Sequence, residues 1–366
     1  MSLGSNTEAV IRRPSVLAAA GALACIALGA VAVTARDWPP TPAAREGRNL
    51  TRFIDSPSIA DNRVAVTSVR DANAAGATRV VIGTDGRLLV SDPATGATFE
   101  LAPDLPLTKP LIVTPDGVVA VSRGSAVFIS TNGEHQLELG VATDVFVGSD
   151  GTLWLSHNDN GPQYLERISG REPGGERVLV GFGALVYGLA DNGLLLGRSQ
   201  STEVVEPGSD EVKVQLRRFT TVFSVQRDVV VGTDSRCDSR RCSLAVIDAS
   251  TGEGGEWELG SFRLPNKPSG EVSPDGSHLA MFLVDAQRNL FVGVINLATG
   301  ELQRGQILGS SRSSADVSWA RDGTAVYYVD PVESGIVREL RPFDETPSDI
   351  ALPWRFGSIT SVADLG

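Results

Sequence analysis

The chain has 366 residues, of which 42% are hydrophobic, 21% charged and 6% aromatic, with 39 Gly, 20 Pro and 3 Cys. That apolar share excludes a largely disordered chain, and two Met with a mean hydropathy near zero exclude a polytopic membrane protein. A net charge of −12, from 32 Lys+Arg against 44 Asp+Glu, repels a phosphate backbone, and no basic patch offsets it: Arg217-Arg218 and Arg240-Arg241 are isolated pairs. Nucleic acid is excluded as a partner on this ground, and anionic membrane surfaces are disfavoured. Only three positions are Lys (Lys109, Lys213, Lys267), and this Arg-, Ala-, Gly- and Val-rich usage reads as bacterial GC-rich coding.

In chain order, residues 1–13 form a short tail, expected to be cytoplasmic, and residues 14–35 carry no charge. About twenty apolar residues span a hydrocarbon core about 30 Å thick, so 14–35 is read as a transmembrane signal anchor. Arg12 and Arg13 precede it; Arg36, Asp37, Trp38, Pro39 and Pro40 end it. Two alternatives stay open: a signal peptide cleaved after Ala35, and lipidation at Cys25. Counting Lys and Arg on either side, two before and four after (Arg36, Arg45, Arg48, Arg52), would leave the large domain in the cytoplasm. The cysteines outweigh that count. Outside the span only Cys237 and Cys242 occur, four residues apart in a Gly/Asp/Ser-flanked loop, and such a pair reads as a local disulfide of an oxidising compartment. Four soft ligands for a metal are not at hand. The domain is therefore expected outside, with 36–57, rich in Pro, as its spacer.

From residue 58 to 366 helical periodicity is lacking. Short runs such as RVAVTSV, RVVIGT, LIVT, VVAVS, TLWLS, DVVVGT, HLAMFLV and AVYYVD have strand length and are bounded by Gly, Asp, Asn and Pro. Two kinds of turn alternate between them. The first is Asp-Gly or a variant, at Asp61-Asn62, Asp116-Gly117, Asp150-Gly151, Asn192-Gly193, Arg227-Asp228, Asp275-Gly276 and Asp322-Gly323. In Thr114-Pro115-Asp116-Gly117 and Ser273-Pro274-Asp275-Gly276, Pro presets φ and Gly takes the left-handed conformation. The second is Thr-Gly or Asn-Gly, at Thr95-Gly96, Asn132-Gly133, Thr251-Gly252 and Thr299-Gly300.

Marks spaced about 43 residues apart, with four strands to each unit, predict an all-β propeller: one four-stranded sheet has two apolar faces and needs a neighbour on each. Seven marks predict seven blades. Asp85-Gly86 falls out of phase, which leaves six or eight open. The run SITSVAD (358–364) is expected to close the ring against the sheet begun near residues 60–101.

EVSPDGSHLAMFLVDAQRNLFVGVINLATGEL (271–302) and DVSWARDGTAVYYVD (316–330) resemble the repeats of TolB-type propellers, a branch of the WD-repeat-like superfamily. Trp319, Asp322 and Gly323 match the Trp-x-x-Asp-Gly pattern, and Ser273 to Gly276 match Ser-Pro-Asp-Gly; the other units match through the Asp-Gly turn alone. The resemblance implies the propeller fold and a cell-envelope location. The α/β domain that precedes the ring in TolB is replaced here by the expected anchor.

Catalytic chemistry is sparse. His135 and His278 flank turns and are expected to be exposed; His157 opens His-Asn-Asp-Asn-Gly161, a polar segment better explained as hairpin chemistry than as a calcium loop. HExxH, GxSxG and P-loop motifs are missing. Trp154, Trp257, Trp319, Trp354, Tyr327 and Tyr328 are expected to pack between blades. The sequence thus predicts a membrane-tethered extracytoplasmic propeller that binds a protein partner of the envelope, without cofactor or catalysis. The alternative is a propeller hydrolase or lyase with its site at the channel mouth.

Overall fold

The computed structural model describes residues 9–10 and 80–364, apart from 85–86, 92–97, 104, 106, 108–110, 115–116, 131–135, 149–150, 158–162, 169–174, 182–183, 199–200, 210, 234–241, 310–314, 334–335, 345–347 and 353–358. The described elements are all strands. Ala9–Val10 forms β1. The first blade holds β2 (Val80–Thr84), β3 (Arg87–Ser91) and β4 (Thr98–Pro103). The second holds β5 (Ile112–Thr114), β6 (Gly117–Ser122), β7 (Ser125–Ser130) and β8 (Gln136–Val141); the third β9 (Asp144–Val147), β10 (Leu153–His157), β11 (Gln163–Ile168) and β12 (Arg177–Gly181). The fourth is β13 (Leu185–Ala190), β14 (Gly193–Gly197), β15 (Thr202–Val205) and β16 (Val212–Leu216). The fifth is β17 (Thr221–Gln226), β18 (Val229–Thr233), β19 (Ser243–Asp248) and β20 (Gly254–Glu258). The sixth is β21 (Gly270–Val272), β22 (His278–Val284), β23 (Leu290–Asn296) and β24 (Glu301–Arg304). The seventh is β25 (Val317–Trp319), β26 (Val326–Val329), β27 (Val337–Arg341) and β28 (Ser348–Ala351), and β29 (Ile359–Asp364) ends the chain.

Each blade is an antiparallel meander, and β29 completes the first by pairing Val362 with Ile82 and Asp364 with Val80. The strands β29, β5, β9, β13, β17, β21 and β25 each touch the next around a closed cycle, so they form the inner wall. Seven apolar clusters fill the seven blade interfaces. Phe282, Val292 and Leu290 of the sixth blade meet Tyr328, Trp319 and Val326 of the seventh, for example, with Phe282 and Tyr328 edge-to-face at 5.9 Å. Tyr327, Ala320 and Val329 then meet Val80, Ile82 and Val362 of the first. Double-sided burial explains why the second strands read as unbroken apolar runs: β6, β10 and β14 are buried at every position.

At Gly151, Gly276 and Gly323 the predicted turns have the expected left-handed glycine. Gly276 (φ +78°) and Gly323 (φ +74°) take the left-handed conformation, donating from N to Ser273 O and Ala320 O. Asp275 accepts from the Ser273 and Ser277 hydroxyls at 2.6 Å each, which pull its carboxyl down to about 2. Asp322 likewise accepts from Thr324 N and Oγ1. At the second kind of turn, Asp248 Oδ1 accepts from Ser250 N and Thr251 N, and Asn296 Oδ1 from Ala298 N and Thr299 N.

Gly117 departs from the left-handed expectation. Its φ is not positive, and it is Gly because a Cβ there would lie 2.2 Å from Ile129 O and 2.7 Å from Phe128 Cζ. Gly117→Ala is therefore expected to cost about 1–3 kcal/mol through overpacking, and Gly117→Asn at least as much. At Gly323 a Cβ meets nothing within 4 Å, so Asn, at ease in the left-handed region, is expected to be mild there. Urea melts of the three variants check the contrast.

Asp85-Gly86 was out of phase because it falls between β2 and β3, the second and third strands of the first blade, whereas the other Asp-Gly dipeptides fall between first and second strands. The first blade takes its inner strand from the C-terminus and needs no first-kind turn, so the mark at Asp61-Asn62 was not required for the count. That mark, the run RVAVTSV, the linker 36–57 and the expected anchor 14–35 lie outside the described residues. Among the described residues no helix is long and apolar enough to cross a membrane, so the predicted N-terminal helix has no support from the structure. β1 lies antiparallel on the outer edge of β24, opposing Ala9 to Leu302 and Val10 to Glu301.

Candidate functional site

The inner edge of a blade presents backbone N–H groups that no further strand pairs. Around the closure of the ring, hydrogen bonds between neighbouring blades, most of them to side chains, take several of the free backbone donors. Val272 N donates to Ser224 Oγ at 3.1 Å, linking blades five and six. Trp319 N donates to Glu271 Oε2 at 3.1 Å, and Trp319 Nε1 to Glu271 O at 2.9 Å, linking six and seven. Val362 N donates to Asp316 Oδ2 at 2.9 Å, and Arg321 N to Asp364 Oδ2 at 2.6 Å, linking seven and one.

Two of these acceptors carry unusual protons. Burial pushes the Glu271 carboxyl from 4.5 up to about 7, against the pull of Trp319 N and the Ser318 hydroxyl, and the neighbouring Asp316 charge adds to the rise. Burial pushes Asp316 from 3.8 up to about 7, against hydrogen bonds from Val362 N and Val317 N. Both side chains keep partial exposure. The enclosing inner strands strip most of their solvation without sealing them off. Two carboxyls that titrate near neutrality on a partly open wall are what general acid–base chemistry uses, and they also fit a purely structural proton. Sequence reading missed both, because the donors they meet, Trp319 N and Val362 N, lie a full blade ahead in the chain.

A second polar group lies within the third blade. His157 is 4% exposed and ends β10, so it belongs to the core rather than to a polar loop. Its Nε2 is 3.3 Å from Glu166 Oε2, the same oxygen that takes Arg177 Nη2 at 2.9 Å and Arg177 Nε at 3.0 Å. Tyr164 stacks on the imidazole at 4.3 Å, with the Arg177 guanidinium 5.2 Å from its ring centre. Glu166 and Arg177 are direct cross-strand partners, and His157 pairs with Tyr164. This brace joins three strands and is buried. Among the described residues no group of three His, Cys, Asp or Glu is placed to hold a metal.

The remaining predicted positions are dispersed. Gly117, Gly151, Asp275, Gly276, Asp322 and Gly323 occupy turns on one face of the ring, while Asp116 and Asp150 lie outside the described residues. His278, expected to be exposed, is half-buried, 4.8 Å from the Phe343 ring and 6.5 Å from that of Trp319. Desolvation there lowers its proton affinity. Trp154, Trp257, Trp319, Tyr327 and Tyr328 are buried between blades as expected; Trp354 and His135 lie outside the described residues. Cys242 is buried at the interface of blades five and six, and Cys237 lies outside the described residues.

The two faces of the ring differ. The face of Asp-Gly and Thr-Gly turns is tight and acidic, with Asp191, Asp248, Glu253, Asp275, Glu301 and Asp322 exposed. The opposite face carries the connections from second to third strands and between blades. Of the exposed large apolar side chains, Val141 (53%), Leu185 (62%), Ile307 (49%) and Val332 (47%) sit there; Val212 and Phe343 do not.

No family model matches the chain, and no curated protein matches it. Solved structures do. A putative 6-phosphogluconolactonase from Bacteroides fragilis is 11% identical, with a TM-score of 0.53 over 81% of this chain and 100% of that one. Kuenenia stuttgartiensis hydrazine synthase is 15% identical, with a TM-score of 0.50 over 65% of this chain and 78% of that one. TolB from Acinetobacter baumannii is 14% identical, with a TM-score of 0.47 over 79% of this chain and 66% of its own. At these identities the likeness is one of fold. The chain is a seven-bladed β-propeller whose structural neighbours include TolB.

Proposed function

We propose that the ring is a protein-binding module, tethered to the membrane by residues 14–35 and held outside the cytoplasm, and that it docks its partner on the face opposite the Asp-Gly turns. The observation that carries this is the asymmetry of the faces: one is closed by short, self-bonded turns, the other gathers the longer connections and four exposed apolar side chains. Exposed apolar groups on a connection-rich face are the raw material of an interface. Changing Leu185, Ile307 and Val332 to Asp is expected to abolish cross-linking of the full chain to envelope proteins without lowering its melting temperature. Unchanged cross-linking overturns the docking face.

The tether has its own readouts. In intact cells Val332→Cys is expected to react with a membrane-impermeant maleimide; reaction only after lysis would put the ring in the cytoplasm. The proposed Cys237–Cys242 bond leaves both thiols unreactive until reduction. With 14–35 across a bilayer, Ala9 and Leu302 fall on opposite sides, so the tether and the β1 pairing exclude each other. Giving up the pairing costs little, at about 0.5–1.5 kcal/mol per hydrogen bond.

A second reading, a hydrolase or lyase working at the channel, is favoured by one observation, the Glu271–Asp316 pair with proton affinities near neutrality. Enzymes occur among the neighbours of this fold, hydrazine synthase being one. The carboxyls, however, are engaged in holding blades together through Trp319 N and Val362 N, which favours the binding module.

A further inference from the structure

The net charge of −12 hides a division between the two faces. Exposed carboxylates concentrate at the Asp-Gly and Thr-Gly turns, while the connection-rich face displays Arg123, Arg198, Arg218, Arg263 and Arg288, all exposed. Their places follow from the topology. Arg123 and Arg288 sit in the turns from second to third strand of blades two and six, both with the backbone in the left-handed region (φ +50° and +67°). Arg198 follows β14 in blade four. Arg218 and Arg263 lie in the crossings from blade four to five and five to six, and Arg218 is close enough to act electrostatically on Tyr187 of the inner strand β13.

Arg198 is paired with Glu203 at 2.9 Å. Arg123, Arg218, Arg263 and Arg288 make no salt bridge among the described residues. By contrast, the Arg residues next to buried acids on this side are committed: Arg304 to Asp285 at 2.6 Å and Arg338 to Asp330 at 2.8 Å. The uncommitted guanidiniums are thus spread across the same face as Leu185, Ile307 and Val332.

Resting on the docking face proposed above, we infer that the partner it takes is an acidic protein segment, whose carboxylates meet these Arg side chains while its apolar residues cover Leu185, Ile307 and Val332. Guanidinium forks suit carboxylates bidentately, and the acidic opposite face repels the same segment, so a single orientation is selected. The inference runs against the overall charge. A strongly acidic protein is here expected to bind an acidic ligand and to leave a basic one.

The test uses the full chain in zwitterionic nanodiscs with fluorescein-labelled decaglutamate, and decalysine as its counterpart. Decaglutamate is expected to bind, with an affinity that falls as salt rises. The variant Arg123→Asn/Arg218→Gln/Arg288→Asn is expected to weaken it at least tenfold; Asn tolerates positive φ, so the two turns keep their shape. Arg227→Asn/Arg321→Gln, on the turn face, is expected to change it less than twofold. Should the triple variant melt early, Arg218→Gln alone carries the test through a salt slope shallower than that of the unaltered chain. Preference for decalysine, undiminished binding by the triple variant, or equal loss in the turn-face variant overturns the inference. Binding of phosphatidylglycerol vesicles through the same Arg residues, without decaglutamate binding, replaces it with a lipid surface. If the Asp substitutions at Leu185, Ile307 and Val332 abolish envelope cross-links while the Arg variants leave them intact, the docking face stands and its acidic partner falls.

Discussion

Replacing Glu271 with Gln is expected to stabilise the protein at pH 8 and to leave it nearly unchanged at pH 4. The folded state raises this carboxyl from 4.5 to about 7, so it holds its proton more tightly than the unfolded chain does. A group of that kind contributes its full stability below the unfolded value. The contribution is lost as pH rises toward the folded value and is gone above it. Gln keeps an oxygen for Trp319 N and cannot ionise, so it mimics the protonated acid at every pH. At 1.36 kcal/mol per unit, and discounted for the partial exposure of the side chain, the gain at pH 8 is about 1–3 kcal/mol. That amounts to roughly 2–6 °C in Tm for a domain of this size.

Asp316→Asn is expected to behave likewise, because Asp316 rises from 3.8 to about 7 and Asn can still accept from Val362 N. The double variant should gain less than the sum, since neutralising Asp316 removes part of what raises Glu271. Thermal melts from pH 4 to 8 decide the matter. Equal destabilisation at both ends would mean that the ionised carboxylates are required acceptors and that the proton is not part of the fold. An enzymatic turnover lost in the stabilised variants would revive the channel chemistry.

How far these features could be read from residues alone depends on the range of the interactions that make them. Turns are local. Asp275 meets Ser273 and Ser277 within its own hairpin, so the Ser-Pro-Asp-Gly string announces itself, and Asn296 caps Ala298 and Thr299 just as locally. Strand lengths were legible for the same reason, whereas the closing run SITSVAD pairs with β2 across nearly the whole chain and was legible only from the need to close a ring. Gly117 was legible as a turn residue but not in its cause, which is a close approach by Ile129 across the sheet. Asp85-Gly86 shows the limit of a dipeptide: the same two letters fall between first and second strands or between second and third, and only the pairing of β2 with β29 says which. The Glu271 and Asp316 bonds reach a full blade ahead, to Trp319 and Val362, and nothing near either residue distinguishes it from an ordinary polar strand position. His157 was misplaced because the Asn and Asp after it look like a loop. Its parity with Leu153 and Leu155 puts it on a buried face, with Glu166 Oε2 3.3 Å from its Nε2 and Tyr164 stacked on its ring.

The largest loss of stability is expected from ending the chain at Gly357. β29 is the inner strand of the first blade, and without it Val80–Thr84, now buried along their whole length, become an exposed apolar edge. Removal also withdraws Val362 from the interface with blade seven and Ala363 from that with blade two, and it leaves Asp316 and Arg321 N without their partners across the closure. Burying a Val contributes about 1.5–3 kcal/mol, and each lost hydrogen bond about 0.5–1.5 kcal/mol. The total, roughly 5 kcal/mol or more, rivals the 5–15 kcal/mol of a whole domain. The truncated chain is expected to lose its cooperative melt and to associate through the open edge. A synthetic peptide of residues 358–366 added in trans should restore a monomeric, cooperative transition by refilling the slot. A Val362→Asp form of the peptide should fail, because its carboxylate would enter an apolar cluster without a counter-charge. A truncated chain that melts cooperatively at the unaltered temperature, as a monomer, would show that the ring does not depend on this closure.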